Sequence, residues 1–231
     1  MKTLLKVVRV LLISLFANFL YSFDFTNMIS VLKSHQDKIT SMTSEIAILM
    51  STSQGKVGQK GLFWYAFPDK SRIDITVPFK QSTIFAGKKM YLKKYNDSVY
   101  ADINTGDSAK AYFNDMFYFS YLKPLFLDMD KEDETNVYFY GYEDKDKTVK
   151  MFYGLYDKQQ KVITEARIFN SVKGSTIYSK VMQFYKEVDG VLIAYKVIAD
   201  TSVAGYSGRS IVEIRNVKVN GKVDDSVWNV K

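Results

Sequence analysis

Covalent catalysis and metal binding draw on few side-chain types, and this sequence is poor in several of them. It has no cysteine and a single histidine, His35. That excludes thiolate nucleophiles, thiolate metal sites and any centre built from two imidazoles. No G-x-S-x-G, phosphate-loop or dinucleotide pattern occurs; Gly205-Tyr206-Ser207-Gly208 reads as a turn between strands. Acids are plentiful, so paired carboxylates of the glycosidase kind stay open on composition alone. The dense acidic run Asp128, Asp130, Glu132, Asp133 and Glu134 lacks the spacing of a calcium loop and reads as a solvated loop over Asp128–Glu134. The expectation is a protein that is not an enzyme and carries neither cofactor nor metal.

Apolar surface is what the chain has in quantity: 17 Tyr, 16 Phe and 2 Trp, with only three prolines and 12 glycines among 231 residues. Aromatic and β-branched residues suit half-buried pleated surfaces, so composition leans to β. Lys2, Lys6 and Arg9 precede an almost unbroken apolar run from Val10 to Tyr21. That run is shorter than the roughly 20 residues a spanning helix needs. It reads as a secretory signal peptide over residues 1–22, with Ser22 as the cleavage candidate. The remainder, 23–231, is long enough for one sizeable core. The net charge of +7 falls to about +4 without that segment. The lysines are scattered, and no basic-aromatic motif of a nucleic-acid binder occurs.

The first periodic segment is helical. Ile29, Leu32, Gln36 and Ile39 share a face over Phe25–Ile39, with Thr26 as N-cap. A period of two follows. The expected strands are Glu45–Met50, Gln59–Phe67, Arg72–Val77, Gln81–Ala86, Lys89–Lys94 and Val99–Ile103, joined by loops and tight turns such as Ser51–Gly58, Pro68–Lys70 and Gly87-Lys88. Ser108–Leu127 contains a second helix carrying Phe113, Met116, Phe117 and Tyr121, limited by Pro124. The strands Asn136–Tyr142, Val149–Tyr156, Val162–Phe169, Thr176–Lys186, Val191–Asp200 and Arg209–Val219 complete the chain. About twelve antiparallel strands need a way to hide their apolar face and edges. The economical solution is one curled, unclosed sheet with both helices on its concave side.

Gly61-Leu-Phe-Trp-Tyr-Ala-Phe-Pro68, Arg72-Ile73-Asp74, Pro78, Gln81 and Gly87-Lys88-x-x-Tyr91 resemble the N-terminal half of the periplasmic lipoprotein carrier family, LolA. Asp189-Gly190-Val191-Leu192-Ile193, and Asn216 to Asn220 followed by Asp225-Ser226-Val227-Trp228, resemble its closing hairpin and terminal turn. The resemblance implies an unclosed β-barrel of about 11–12 strands with a helical lid, a periplasmic location and acylated lipoproteins or lipids as partners. It also implies an inner-membrane release transporter and an outer-membrane acceptor, with a monomer as the default state. An apolar cavity would be lined by Phe63, Tyr65, Phe67, Ile73, Ile75 and Ile84 from strands and by Met116, Phe117 and Tyr121 from the second helix. Phe67 stands where the family often carries a basic residue that helps hold the lid, so that device is missing here. A lipid-sensing or general lipid-binding envelope protein of related fold is the alternative.

Overall fold

The computed structural model describes residues 23–86, 89–94, 97, 100–104, 116–172, 175–203 and 206–230. The expected signal peptide, the segment 108–115 and the pairs Gly87-Lys88 and Lys173-Gly174 lie outside them. Helix α1 spans Phe25–Asp37. Its cap is Asp24, not Thr26: the Asp24 carboxylate accepts the Asn27 N–H at 3.0 Å, the N-cap geometry that satisfies one otherwise orphaned donor. Met28, Leu32 and Gln36 form its buried stripe.

The strands are β1 (Ser41–Thr52), β2 (Gly55–Ala66), β3 (Lys70–Val77), β4 (Gln81–Ala86), β5 (Lys89–Lys94) and β6 (Ala101–Asn104). After the single-turn helix α2 (Phe119–Leu122) come β7 (Phe126–Glu132), β8 (Asn136–Tyr142), β9 (Lys150–Asp157), β10 (Val162–Val172), β11 (Ser175–Val188), β12 (Val191–Val203) and β13 (Tyr206–Val219). They form one antiparallel sheet of 13 strands in the order β6-β5-β4-β3-β2-β1-β13-β12-β11-β10-β9-β8-β7. The sheet is mostly β and unclosed, as expected, with the first strand paired to the last at its centre.

Four segments differ from the sequence reading. The loop expected over Ser51–Gly58 is a tight turn at Ser53-Gln54, because Met50 and Val57 continue the pairing of β1 with β2. The acidic run is not a loop. Asp128 to Glu132 belong to edge strand β7, and Asp133 builds the turn after it. Its carboxylate accepts the N–H groups of Thr135 and Asn136 at 2.9 and 2.7 Å, which holds its pKa down at about 2. Of the second helix expected within 108–127, residues 108–115 lie outside the described residues; in the rest the helical part is α2, entered through Tyr118 at φ 62°, and β7 begins at Phe126. Gly208 lies within β13, so part of the expected Gly205–Gly208 turn is strand.

The core lies between the concave face and the two helices. Met28, Leu32, Met42, Phe63, Tyr65, Phe117, Leu122, Phe139, Phe152 and Ile193 are buried in it. On the convex face the chain end is clasped to β3. The Arg72 guanidinium donates to the Val227 carbonyl at 2.6 Å and to Asp74 at 2.7 Å, while lying over the Trp64 ring. Arg72 is thus a fastener of the terminal turn Asp225–Trp228.

Candidate functional site: the concave face

Directly opposed residues of an antiparallel pair share a face, so the register shows what lines the concavity. Ser71, Ile73 and Ile75 oppose Tyr65, Phe63 and Gly61, which in turn oppose Met42, Ser44 and Ile46. Further along, Ile48 opposes Val212, and Val212 opposes Val197. Another row runs from Val57 through Met50, Ser210, Ala199, Val181 and Ala166 to Gly154 and Phe139. The face is apolar over almost its whole width. Under α1 it is packed. Towards the β1–β2 turn the cover thins: Ile48, Val181, Val197 and Val212 are only half-buried, and Met50 and Val57 are exposed.

Of the nine cavity residues expected from sequence, Phe63, Tyr65, Ile73 and Ile75 share this face. Met116 and Phe117 come to it from the segment that leads into α2, and Tyr121 from α2 itself. Phe117 is fully buried, stacked on Tyr185 with ring centres 5.7 Å apart, and Tyr121 leans on Phe152 at 5.6 Å. Two residues fall elsewhere. Ile84 opposes Arg72 and Tyr91, so it points to the convex side although it is buried. The alternation of β4 was placed one residue out of phase. Phe67 lies in the β2–β3 turn, 58% exposed, with Pro68 ending the strand pattern behind it.

The polar groups that organise the site were not singled out from sequence. Gln36, buried on α1, accepts the Met116 N–H at 3.0 Å. From the other side the Gln183 amide donates to the Met116 carbonyl at 3.3 Å. The Tyr185 hydroxyl donates to Gln183 Oε1 at 2.7 Å and lies 3.3 Å from the same carbonyl. One residue, Met116, thus ties helix, sheet and the chain entering α2 together through its backbone. A polar residue on the apolar stripe of α1 was the visible signal. Gln183 and Tyr185 sit on one face of β11 and carried none. The hydroxyls of Ser44 and Ser71 are buried in the concave face and have no hydrogen-bond partner among the described residues. Tyr156, buried in the core against Phe23, has its phenol pushed up to about 12 by burial and stays neutral. Among the described residues no group of three or more His, Asp or Glu side chains converges as a metal site would.

No family model and no curated protein matches the sequence. Its fold matches solved structures over most of its length. A LolA superfamily protein from Nitrosomonas europaea shares 13% identity, covering 87% of this chain and 96% of that one, at a TM-score of 0.60. An outer membrane lipoprotein-sorting protein domain from Vibrio parahaemolyticus shares 9% identity over 88% and 95%, at 0.63. A DUF1329 family protein from Desulfovibrio piger shares 10% over the same fractions, also at 0.63. The class defined by these likenesses is the LolA-like fold: an unclosed sheet that curls around helical segments. At such identities the likeness is one of architecture.

Proposed function

We propose that the chain is a periplasmic carrier that takes the acyl chains of lipoproteins into its concavity and moves them from the inner to the outer membrane. The observation that supports this most is the continuous apolar concave face whose cover thins towards one end. Each buried methylene contributes about 0.8 kcal/mol, so acyl chains leave a bilayer only for a comparably apolar host. Met and aromatic side chains repack around variable shapes. In the empty protein α1 and Phe117 fill the packed half. Acyl chains entering at the open half displace them, and α1 swings outward as a lid. Ser44 and Ser71 offer hydroxyls for the ester or amide carbonyls of a lipid anchor. Phe63, Tyr65, Ile73, Ile75, Met116, Phe117 and Tyr121 form the lining in this reading. The chemistry is binding, with no covalent step.

Residues 1–22 act as the export signal in this account, and 23–231 as a single carrier unit, monomeric, receiving its load from an inner-membrane transporter and yielding it to an outer-membrane acceptor. The test is Ile73→Glu, a charge placed on the concave face. Binding of a fluorescent fatty-acid probe and of purified lipoprotein should each fall at least tenfold, and depletion of the protein should strand lipoproteins in the inner membrane. Undiminished binding of both ligands removes this face from the function.

A further inference from the structure

Exposed apolar side chains gather at one corner of the sheet. Where β1 turns into β2 and β3 into β4, Met50 is 36%, Val57 48%, Val77 51% and Phe79 75% exposed. The register puts them at the same end of the sheet: Met50 opposes Val57 beside the β1–β2 turn, and Val77 opposes Lys60, three residues along the same strand from Val57. Phe79 is in the turn that follows Val77. Lys56, Lys60, Lys80 and Lys94 are exposed in this corner, Lys94 opposite Gln81 at the start of β4. None of them enters an ion pair among the described residues. No acid occurs in the sequence between Glu45 and Asp69, or between Asp74 and Asp97. Asp97 itself is occupied, accepting the Lys94 N–H at 2.9 Å.

We infer that this corner docks on the surface of an anionic lipid bilayer. A soluble surface rarely leaves contiguous apolar side chains bare unless something covers them. The cations left without an ion pair around these are all lysines; Arg209, opposite Ser51, is held by Asp200. Protein interfaces deplete lysine and enrich arginine, whereas lysine stems lie along apolar surface and reach phosphate headgroups. Apolar tips that enter the headgroup layer, ringed by basic residues attracted to anionic lipid, are the composition of an interfacial anchor. The corner adjoins the open half of the concavity, yet the inference stands on the rim alone. Its failure would leave acyl binding untouched, and Ile73→Glu does not alter the rim.

The full chain lacks cysteine, so Val77→Cys can carry a single environment-sensitive dye. Lys222→Cys carries the same dye at the opposite end of the sheet, just beyond Asn220, whose N–H donates to the Ser41 carbonyl at the start of β1. With phosphatidylglycerol vesicles the emission at position 77 should shift to the blue, while that at 222 should not. Phosphatidylcholine vesicles should give no shift. High salt, and the combined change Lys56→Glu, Lys60→Glu and Lys80→Glu, should each weaken vesicle affinity at least tenfold. No shift, an equal shift at both positions, or an equal response to phosphatidylcholine overturns the inference. So does a shift that grows with protein concentration in the absence of vesicles, which marks a second copy as the occupant.

Discussion

Gln36 occupies a place on α1 where the helical period calls for an apolar side chain, and its oxygen is the partner of the Met116 N–H. Gln36→Leu keeps the burial and removes that acceptor. Leaving a buried donor unmet costs about 1–3 kcal/mol. The expected result is a lower urea midpoint together with faster uptake of an acyl probe, read by stopped-flow fluorescence, because the chain entering α2 loses its tie to the lid. His35, one residue earlier, has a buried Nε2 with no partner among the described residues, and its ring lies tilted against Phe117. Burial, then the Lys38 and Lys161 charges, hold its pKa below the ordinary 6.5. The unfolded chain is therefore the better proton binder as pH falls through that value. Stability is retained above it and declines below it until the folded imidazole itself titrates. Melting temperature should drop between about pH 7.5 and pH 5.5, and His35→Gln should flatten that drop. The sequence showed both residues on the helix but not their partners, which come from β11, the β9–β10 turn and the chain ahead of α2. No local pattern encodes contacts of that range.

β2 and β3 depend on a close approach that only glycine permits. A Cβ on Gly61 would lie 2.0 Å from the Asp74 carbonyl oxygen and 2.9 Å from the Ile75 Cα, both main-chain atoms that cannot swing aside. Gly58, on the same strand, has nothing within 4 Å of such an atom. Gly61→Ala should therefore cost about 3 kcal/mol in urea denaturation, since overpacking here means separating two strands. Gly58→Ala should stay within about 0.5 kcal/mol. Most strands were legible because alternation is strong in β3, β8 and β9. Their ends were not, since polar residues such as Ser51 and Lys56 continue the pairing through backbone bonds alone. Edge strand β7 was read as a loop for a related reason: its side chains are largely exposed and charged, so no apolar period marks it. The phase of β4 was misjudged because Ile84 and Phe85 are adjacent and apolar, and only the pairing with Arg72 and Ser71 decides which faces inward.

The sheet as a whole has two open edges, β6 and β7. β7 carries Asp128, Asp130 and Glu132, and its register breaks between Met129 and Lys131. Charge and irregularity of this kind keep an unpaired strand from recruiting another chain. Replacing the three acids with threonine should yield oligomers whose mass rises with concentration in light scattering, while the native protein keeps one mass over the same range. The architecture was the most readable level of all, because a long antiparallel chain with few helices has few ways to cover itself. What the pattern did not reveal is the central seam, where residues 42–52 meet residues 208–219. A ribosome delivers the two partners of that seam far apart in time. The strand made early waits, bare on one side, through the synthesis of about 160 further residues before its mate exists. Any chain stopped short of that mate is left with an interior strand turned into a sticky margin, and whatever shelters the nascent protein must hold on until its final hairpin has emerged.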